Sequence, residues 1–86
     1  MSFTDNKERI FKMSKVVVYS KPNCGYCTRL KMWMGAKEIE YDEIDITKDE
    51  AAYEKFVNNG RKTVPALEIN GEFVEYEIYN DILEML

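Results

Sequence analysis

Apolar and polar positions alternate in blocks that predict a strand and then a helix at the start of the folded region. The run Val16–Tyr19 is continuous, β-branched and aromatic, which is typical of a central strand buried on both faces, and we place a strand over Lys15–Ser20. Pro22 ends this strand because proline cannot extend its hydrogen bonding. A helix is predicted over Gly25–Ala36, since four apolar residues fall on one of its sides: Cys27, Leu30, Trp33 and Met34.

The middle of the chain predicts a second strand and a second helix. Apolar residues recur over Ile39–Ile46 with one slip in their alternation, which a sheet edge or a bulge tolerates. Asp49 is a suitable N-cap for a helix that runs to about Asn59, with Gly60 just beyond its end. The buried stripe of this helix is expected to contain Ala52, Tyr53 and Phe56.

The last third of the chain predicts a β-hairpin and a final helix. Asn70-Gly71 between Ala66–Ile69 and Phe73-Val74 is a strong signal for a type I′ turn. The helix predicted over Glu77–Leu86 carries an apolar stripe of Ile78, Ile82, Leu83 and Leu86.

The predicted element order is β-α-β-α-β-β-α, which indicates an α/β fold. A right-handed βαβ crossover makes the first two strands parallel, and the hairpin adds an antiparallel pair. We therefore expect a four-stranded mixed sheet with helices on both faces. At 86 residues the chain has the size of one domain, which we place at 14–86 behind a flexible leader at 1–13 that alternatively forms a short helix over 5–12.

Charge and targeting patterns narrow the function classes. The net charge of -4 argues against a nucleic-acid partner. Residues 1–37 hold eight Lys or Arg against two Asp or Glu, which indicates either an ordinary solvated surface or a basic rim near Cys24 that favours an anionic thiol substrate. The sequence has no apolar run long enough to span a membrane and no signal core near its start, so we expect a cytoplasmic protein.

The chain has two cysteines, Cys24 and Cys27, and their spacing predicts a thiol–disulfide site. Cys24 falls at the start of a predicted helix, where backbone amides and the helix dipole stabilise a thiolate, so its pKa is expected below the ordinary thiol value of about 8.5. Cys27 lies one turn further along and nearer the core, which suits a resolving thiol. The alternatives are an inert pair and a zinc site, but zinc usually takes four Cys or His ligands and the chain has no histidine, so we expect no metal.

Three further segments are candidates for substrate binding. Thr63-Val64-Pro65 either ends a loop or, with a cis bond before Pro65, presents the Val64 backbone to an extended thiol peptide like an added strand. Tyr26, between the cysteines, either is a surface aromatic or flanks the substrate. Lys21 adds positive charge beside Cys24.

The combination of these segments resembles the glutaredoxin family. The matching stretches are Val18–Cys27, Ile39–Ile46 and Thr63-Val64-Pro65-Ala66-Leu67 through Asn70-Gly71. The resemblance implies a thioredoxin fold and a glutathione-linked reductase of protein disulfides and glutathione mixed disulfides. We also expect a monomer with no permanently bound cofactor and with glutathione as cosubstrate. The resemblance also implies that Cys24 is the nucleophile, that Cys27 resolves, and that glutathione contacts Lys21, Tyr26 and Val64.

One segment departs from the family pattern. Glutaredoxins usually carry a Gly-Gly pair before the last helix, and the backbone amides of that helix bind the γ-glutamyl carboxylate of glutathione. This chain instead has Val74-Glu75-Tyr76-Glu77, without a glycine, followed by the acidic residue Asp81. The absence of this glutathione-binding segment is consistent with glutaredoxin-like redoxins, which take electrons from thioredoxin reductase and pass them to ribonucleotide reductase. A third alternative is a dimer that shares a [2Fe–2S] cluster through the first cysteine and glutathione.

Overall fold

The valine-rich run forms the central strand of a four-stranded sheet. The computed structural model describes residues 14–86, and the predicted leader lies outside them. Seven elements follow in the predicted order: β1 Val16–Ser20, α1 Gly25–Ala36, β2 Asp42–Asp45, α2 Glu50–Asn58, β3 Ala66–Ile69, β4 Glu72–Val74 and α3 Tyr79–Met85.

The sheet is mixed, as the pattern of elements predicts. Its strand order is β2-β1-β3-β4, in which β1 and β2 are parallel and both remaining pairs are antiparallel. Tyr19 of β1 is opposite Ala66 of β3, so the carboxyl end of β1 lies beside the start of β3. This register brings the loop after Ser20 and the loop before Ala66 to the same edge of the sheet.

Apolar side chains of the sheet build one core on each face. The larger core joins β1 and β3 to α1 and α3, and its buried members are Val16, Val18, Leu30, Met34, Leu67, Ile69 and Ile82. The second core lies under α2 and contains Val17, Tyr19, Ala52, Phe56 and Ala66. All five residues of β1 are buried, because helices cover both of its faces.

Local sequence signals predict α2 and the hairpin turn correctly. The Asp49 side chain accepts a hydrogen bond from the Ala52 N–H at 3.0 Å, as a helix N-cap does. Gly60 has a φ of 77°, which suits its place beyond the C-cap Asn59. In the hairpin, Asn70 and Gly71 both have positive φ, 54° and 89°, as a type I′ turn requires.

The predicted start of the second strand is wrong by three residues. Glu38 has a φ of 60°, and the Ile39 N–H donates to the Met34 carbonyl at 2.9 Å, so this segment closes the end of α1. The ladder with β1 begins only where Asp42 pairs with Val17.

The predicted start of the last helix is also wrong, and one member of its predicted apolar stripe is buried. The helix begins at Tyr79, because the Asp81 carboxylate accepts the N–H groups of Glu77 and Ile78 just before it. Ile82 is fully buried, whereas Ile78, Leu83 and Leu86 are exposed. The expectation that Tyr53 is buried in α2 is wrong as well, since half of this residue is exposed.

Over the described range, no helix is long and apolar enough to cross a bilayer.

Candidate active site

Cys24 is the N-cap of α1, and its sulfur faces the first turn of that helix. Its backbone is extended (φ −108°, ψ 108°), and its Sγ accepts the Cys27 N–H at 3.1 Å. The Cys24 carbonyl accepts the Thr28 N–H at 3.1 Å, which starts the helical ladder. Asn23, the residue before it, adopts φ 60°, a left-handed conformation that asparagine tolerates better than most residues. The short bend after β1 therefore delivers a half-buried sulfur to the positive end of a helix.

Cys27 lies beneath Cys24, one turn into the helix. Only 1% of Cys27 is exposed, and the two residues form a disulfide with a Cα–Cα separation of 5.3 Å. This Cα–Cα separation suits a disulfide between the two residues in the oxidised protein. A partner that approaches from solvent meets the sulfur of Cys24 before that of Cys27.

The predicted proline segment lies in the loop that enters β3. The Val64–Pro65 bond is cis, and Val64 packs against the core under α2. Val64 lines the same groove as Cys24, together with Thr63. Pro65 is partly buried beside them and does not line the groove.

This groove, which we call the substrate groove, is an open cavity of about 900 Å³ that runs from Cys24 across the loop before β3 to α2. It brings together four predicted binding residues: Lys21, Tyr26, Thr63 and Val64. Among the other lining residues, sequence reasoning did not assign Tyr53, Val57, Arg61 and Lys62 to a binding surface. The i,i+4 spacing of Tyr53 and Val57 on α2 was the available signal, but the same spacing also fits a core stripe.

Tyr26 projects into solvent between the two cysteines. It is 69% exposed, and the Arg29 guanidinium lies over its ring at 5.7 Å from the centroid. This cation–π contact joins residues three apart on α1 and orients the ring at the mouth of the groove.

A second, more polar cavity of about 460 Å³ lies on the other side of the cysteines. Glu43 of β2 lines it and accepts hydrogen bonds from Ser20 Oγ at 2.9 Å and from Lys31 Nζ at 2.7 Å. These two donors, Lys31 first, lower the pKa of the Glu43 carboxyl below its ordinary value of 4.5. The contacts tie α1 and β2 to the end of β1, directly behind the cysteine pair.

The basic residues near Cys24 do not all come from the basic first part of the chain, as the predicted basic rim assumed. Lys21 and Lys31 come from the basic first part of the chain, but Lys31 is paired with Glu43. Arg61 and Lys62 come from the acidic second part. Within residues 14–86, no three His, Cys, Asp or Glu side chains cluster closely enough to hold a metal ion.

Comparison with known proteins identifies the family. The glutaredoxin family model matches residues 16–74. The chain is 44% identical over 54 residues to a Mycobacterium tuberculosis protein described as a putative glutaredoxin, a match that covers 60% of this chain but only 64% of that protein. It is 38% identical over 52 residues to the glutaredoxin-like protein NrdH of Lactococcus lactis, covering 60% of this chain and 72% of the relative.

A solved structure supports the same assignment. The thioredoxin-like protein BC3987 superimposes with a TM-score of 0.73 at 27% identity, covering 84% of this chain and 100% of that one. This likeness confirms the predicted thioredoxin fold, and the family match spans both cysteines and the cis-proline segment. The chain belongs to the glutaredoxin family.

Proposed function

We propose that this protein is a dithiol thiol–disulfide oxidoreductase in which Cys24 is the nucleophile and Cys27 is the resolving thiol. The observation that carries the proposal is the hydrogen bond from the Cys27 N–H to Cys24 Sγ at the start of α1. In the reduced protein the same amide faces the Cys24 thiolate, and the helix dipole stabilises that charge. Because Cys24 is more accessible than Cys27, it reacts first with a substrate.

The reaction proceeds by two exchanges. The Cys24 thiolate attacks one sulfur of a substrate disulfide, which forms a mixed disulfide and releases the other sulfur as a thiolate. Cys27 then loses its proton and attacks Cys24 Sγ, which closes the disulfide between the two residues and releases the second substrate thiolate. The substrate gains two electrons, the protein dithiol loses two, and an external thiol donor or reductase restores the dithiol.

The substrate groove supports the positioning of an extended thiol peptide. The loop with Val64 and Pro65 enters β3 from the edge of the sheet where Cys24 lies, and a backbone there pairs with a peptide as an added strand does. Thr63 and Tyr26 border the same space, and Lys21 supplies a positive charge. These five residues remain our proposed binding set.

Two electron donors are consistent with this groove. The first is glutathione, in line with the family resemblance and with the positive charge of Lys21. A specific observation favours the second, thioredoxin reductase, with ribonucleotide reductase as a candidate acceptor. Asp81 Oδ2 already accepts the N–H groups of Glu77 and Ile78, at 3.0 and 3.3 Å, where the family pattern implies that a glutathione carboxylate binds. Glu75 adds like charge that would repel that carboxylate.

A coupled assay that follows NADPH oxidation tests both the activity and the donor. Both arms contain hydroxyethyl disulfide as the disulfide to be reduced. One arm adds glutathione and glutathione reductase, the other adds thioredoxin reductase, and Cys24→Ser is the control in each. The proposal requires turnover in at least one arm, and the active arm identifies the donor. No turnover by the wild-type protein in either arm contradicts the proposed function, as does turnover by Cys24→Ser. Visible absorbance of the purified protein tests the [2Fe–2S] alternative separately.

A further inference from the structure

One wall of the substrate groove is an apolar strip on α2. Tyr53 is 50% exposed and Val57 is 47% exposed, and both line the groove one helical turn apart. Tyr26 borders the same groove near Cys24, so aromatic and apolar side chains line it both beside the reactive sulfur and on α2. With about 900 Å³, the groove is at the upper end of the range for small-molecule pockets and has room for a longer peptide.

The charges along the groove are of one sign. Lys21, Arg61 and Lys62 line it, and no carboxylate among residues 14–86 does so. The protein as a whole has a net charge of -4, so this positive lining contrasts with the rest of the chain. A concave surface with one sign of charge concentrates ligands of the opposite sign.

Arg61 is held in the groove by weak contacts that a ligand can replace. Its guanidinium lies over the Phe73 ring at 5.6 Å, and its Nη1 approaches Glu75 Oε2 at 3.4 Å. That distance is long for a charge-assisted hydrogen bond, and the Glu75 side chain is 82% exposed. Arg61 Nε is buried and has no hydrogen-bond partner among the described residues. The buried Nε is closed to a ligand, but Nη1 makes only this long contact with Glu75, so the outer edge of the guanidinium can bind a substrate carboxylate in its place.

We propose, on the basis of the function proposed above, that the groove selects acidic segments of protein substrates. The segment is extended and carries, near its disulfide, an apolar residue that packs on Tyr53 and Val57 and a carboxylate that binds Arg61 and Lys62. Glu75 is a built-in competitor, because a substrate carboxylate must displace it from Arg61. Arg61 and Glu75 are thus specificity-determining residues with opposite effects on acidic substrates.

The test uses synthetic heptapeptides with a central cysteine in mixed disulfide with 2-mercaptoethanol. Each peptide has a leucine next to the cysteine, and the flanking positions carry either glutamates or lysines. The second-order rate constant for oxidation of the pre-reduced protein is measured for each peptide by acid quench, alkylation and mass spectrometry. We expect the acidic peptide to react about tenfold faster than the basic one at low ionic strength, and this ratio to fall in 0.5 M salt.

Three variants separate the charge contributions. The double variant Arg61→Gln and Lys62→Gln should reduce the acidic-to-basic rate ratio at least threefold. Glu75→Gln should raise it, and because Glu75 is largely exposed this change does not threaten folding. Lys37→Gln is the matched control, since Lys37 is an exposed C-cap at the opposite end of α1 from Cys24 and should leave the ratio unchanged.

A separate pair of peptides tests whether the apolar strip on α2 binds substrate. Tyr53→Ala should slow the leucine peptide about threefold relative to a peptide with glycine at that position. Met32→Ala is the control, because Met32 is 69% exposed on α1 and does not line the groove.

Hydroxyethyl disulfide, small and neutral, distinguishes the two proposals. If the wild-type protein does not reduce it, the proposed function fails. If the protein reduces it but reacts equally fast with the acidic and basic peptides, or if Glu75→Gln lowers their ratio, only the inference about acidic segments is overturned.

Discussion

At the scale of single residues, the two cysteines have different surroundings although only two residues separate them. Cys24 is an N-cap whose sulfur accepts a helix amide, whereas Cys27 is a buried helical residue. The difference follows from one helical turn: the first position of the motif lies at the helix end, and the third residue after it points to the core. These positions assign the nucleophile and the resolving thiol in our proposal.

Serine substitutions should separate these two roles. Cys24→Ser is expected to abolish all exchange, because a hydroxyl at this position is not a nucleophile towards disulfides. Cys27→Ser should still form a mixed disulfide through Cys24 but should lose the dithiol reduction of proteins. Mass spectrometry of the protein after reaction with hydroxyethyl disulfide measures the first step alone. Equal loss of this step in both variants would contradict the assigned roles.

Glu68 is a buried acidic residue that the sequence pattern does not predict, since it lies in an otherwise apolar strand. It is 4% exposed, accepts a hydrogen bond from the Tyr19 hydroxyl at 3.0 Å and forms an ion pair with Lys55 of α2. Burial, followed by the bond to Glu68, raises the pKa of Tyr19, so the hydroxyl stays a donor at neutral pH. The three side chains join β1, β3 and α2 across the smaller core.

Tyr19→Phe should destabilise the fold by about 1–3 kcal/mol, because it removes a hydrogen bond from a buried carboxylate. Urea unfolding followed by circular dichroism measures the change. Tyr76→Phe is a suitable control, because Tyr76 is half-buried against the larger core rather than bonded to Glu68. An equal and small effect of both substitutions would show that the Tyr19 bond does not stabilise the protein.

At the scale of elements, short-range signals predicted α1, α2 and the hairpin turn well, but not the start of α3. Asp49 and Gly60 bound α2, and Asn70-Gly71 forms the hairpin turn, because caps and tight turns depend on neighbours within a few residues. The start of β2 was not predictable in this way. It depends on where β1 offers a partner, and on the use of Glu38 to close α1.

Two glycine substitutions should affect stability in opposite directions. Gly71→Ala is expected to destabilise the hairpin by about 1 kcal/mol, because Gly71 has a φ of 89°. Gly35→Ala should stabilise α1 by about 0.5–1 kcal/mol, since Gly35 is helical and a Cβ there meets nothing within 4 Å. Thermal unfolding midpoints measure both changes, and a fall in the Gly35→Ala midpoint would disagree with the assigned helix.

The contact between α1 and β2 should make stability depend on acidic pH. The pKa of Glu43 is lowered in the folded protein, so this stabilisation is complete above the ordinary value of 4.5 and is lost as pH falls through the folded pKa. Glu43→Gln should therefore lose less stability than the wild-type protein between about pH 5.5 and pH 3. Urea unfolding at several pH values tests this, with Glu54→Gln on the exposed side of α2 as the control. An unchanged pH slope in Glu43→Gln would contradict the contribution of this contact.

At the scale of the whole molecule, the substrate groove is assembled from segments far apart in the chain. Lys21 and Tyr26 flank the cysteine pair, Tyr53 and Val57 lie on α2, and the loop before β3 completes the wall. Motifs identified the first and last of these, because each has a recognisable sequence around Cys24 or Pro65. The α2 residues were not predicted, since helical spacing alone does not say which apolar positions face the core and which face a ligand.

The central claim is that the helix start activates the Cys24 thiol, and its reaction with iodoacetamide across pH tests this most directly. The fully reduced protein is alkylated for short times between pH 4 and pH 10, and peptide mass spectrometry measures modification at Cys24 and Cys27 separately. The account predicts that Cys24 reacts rapidly at neutral pH, with a midpoint well below the ordinary thiol value of about 8.5, while Cys27 reacts slowly. A Cys24 midpoint at or above that ordinary value would contradict the account.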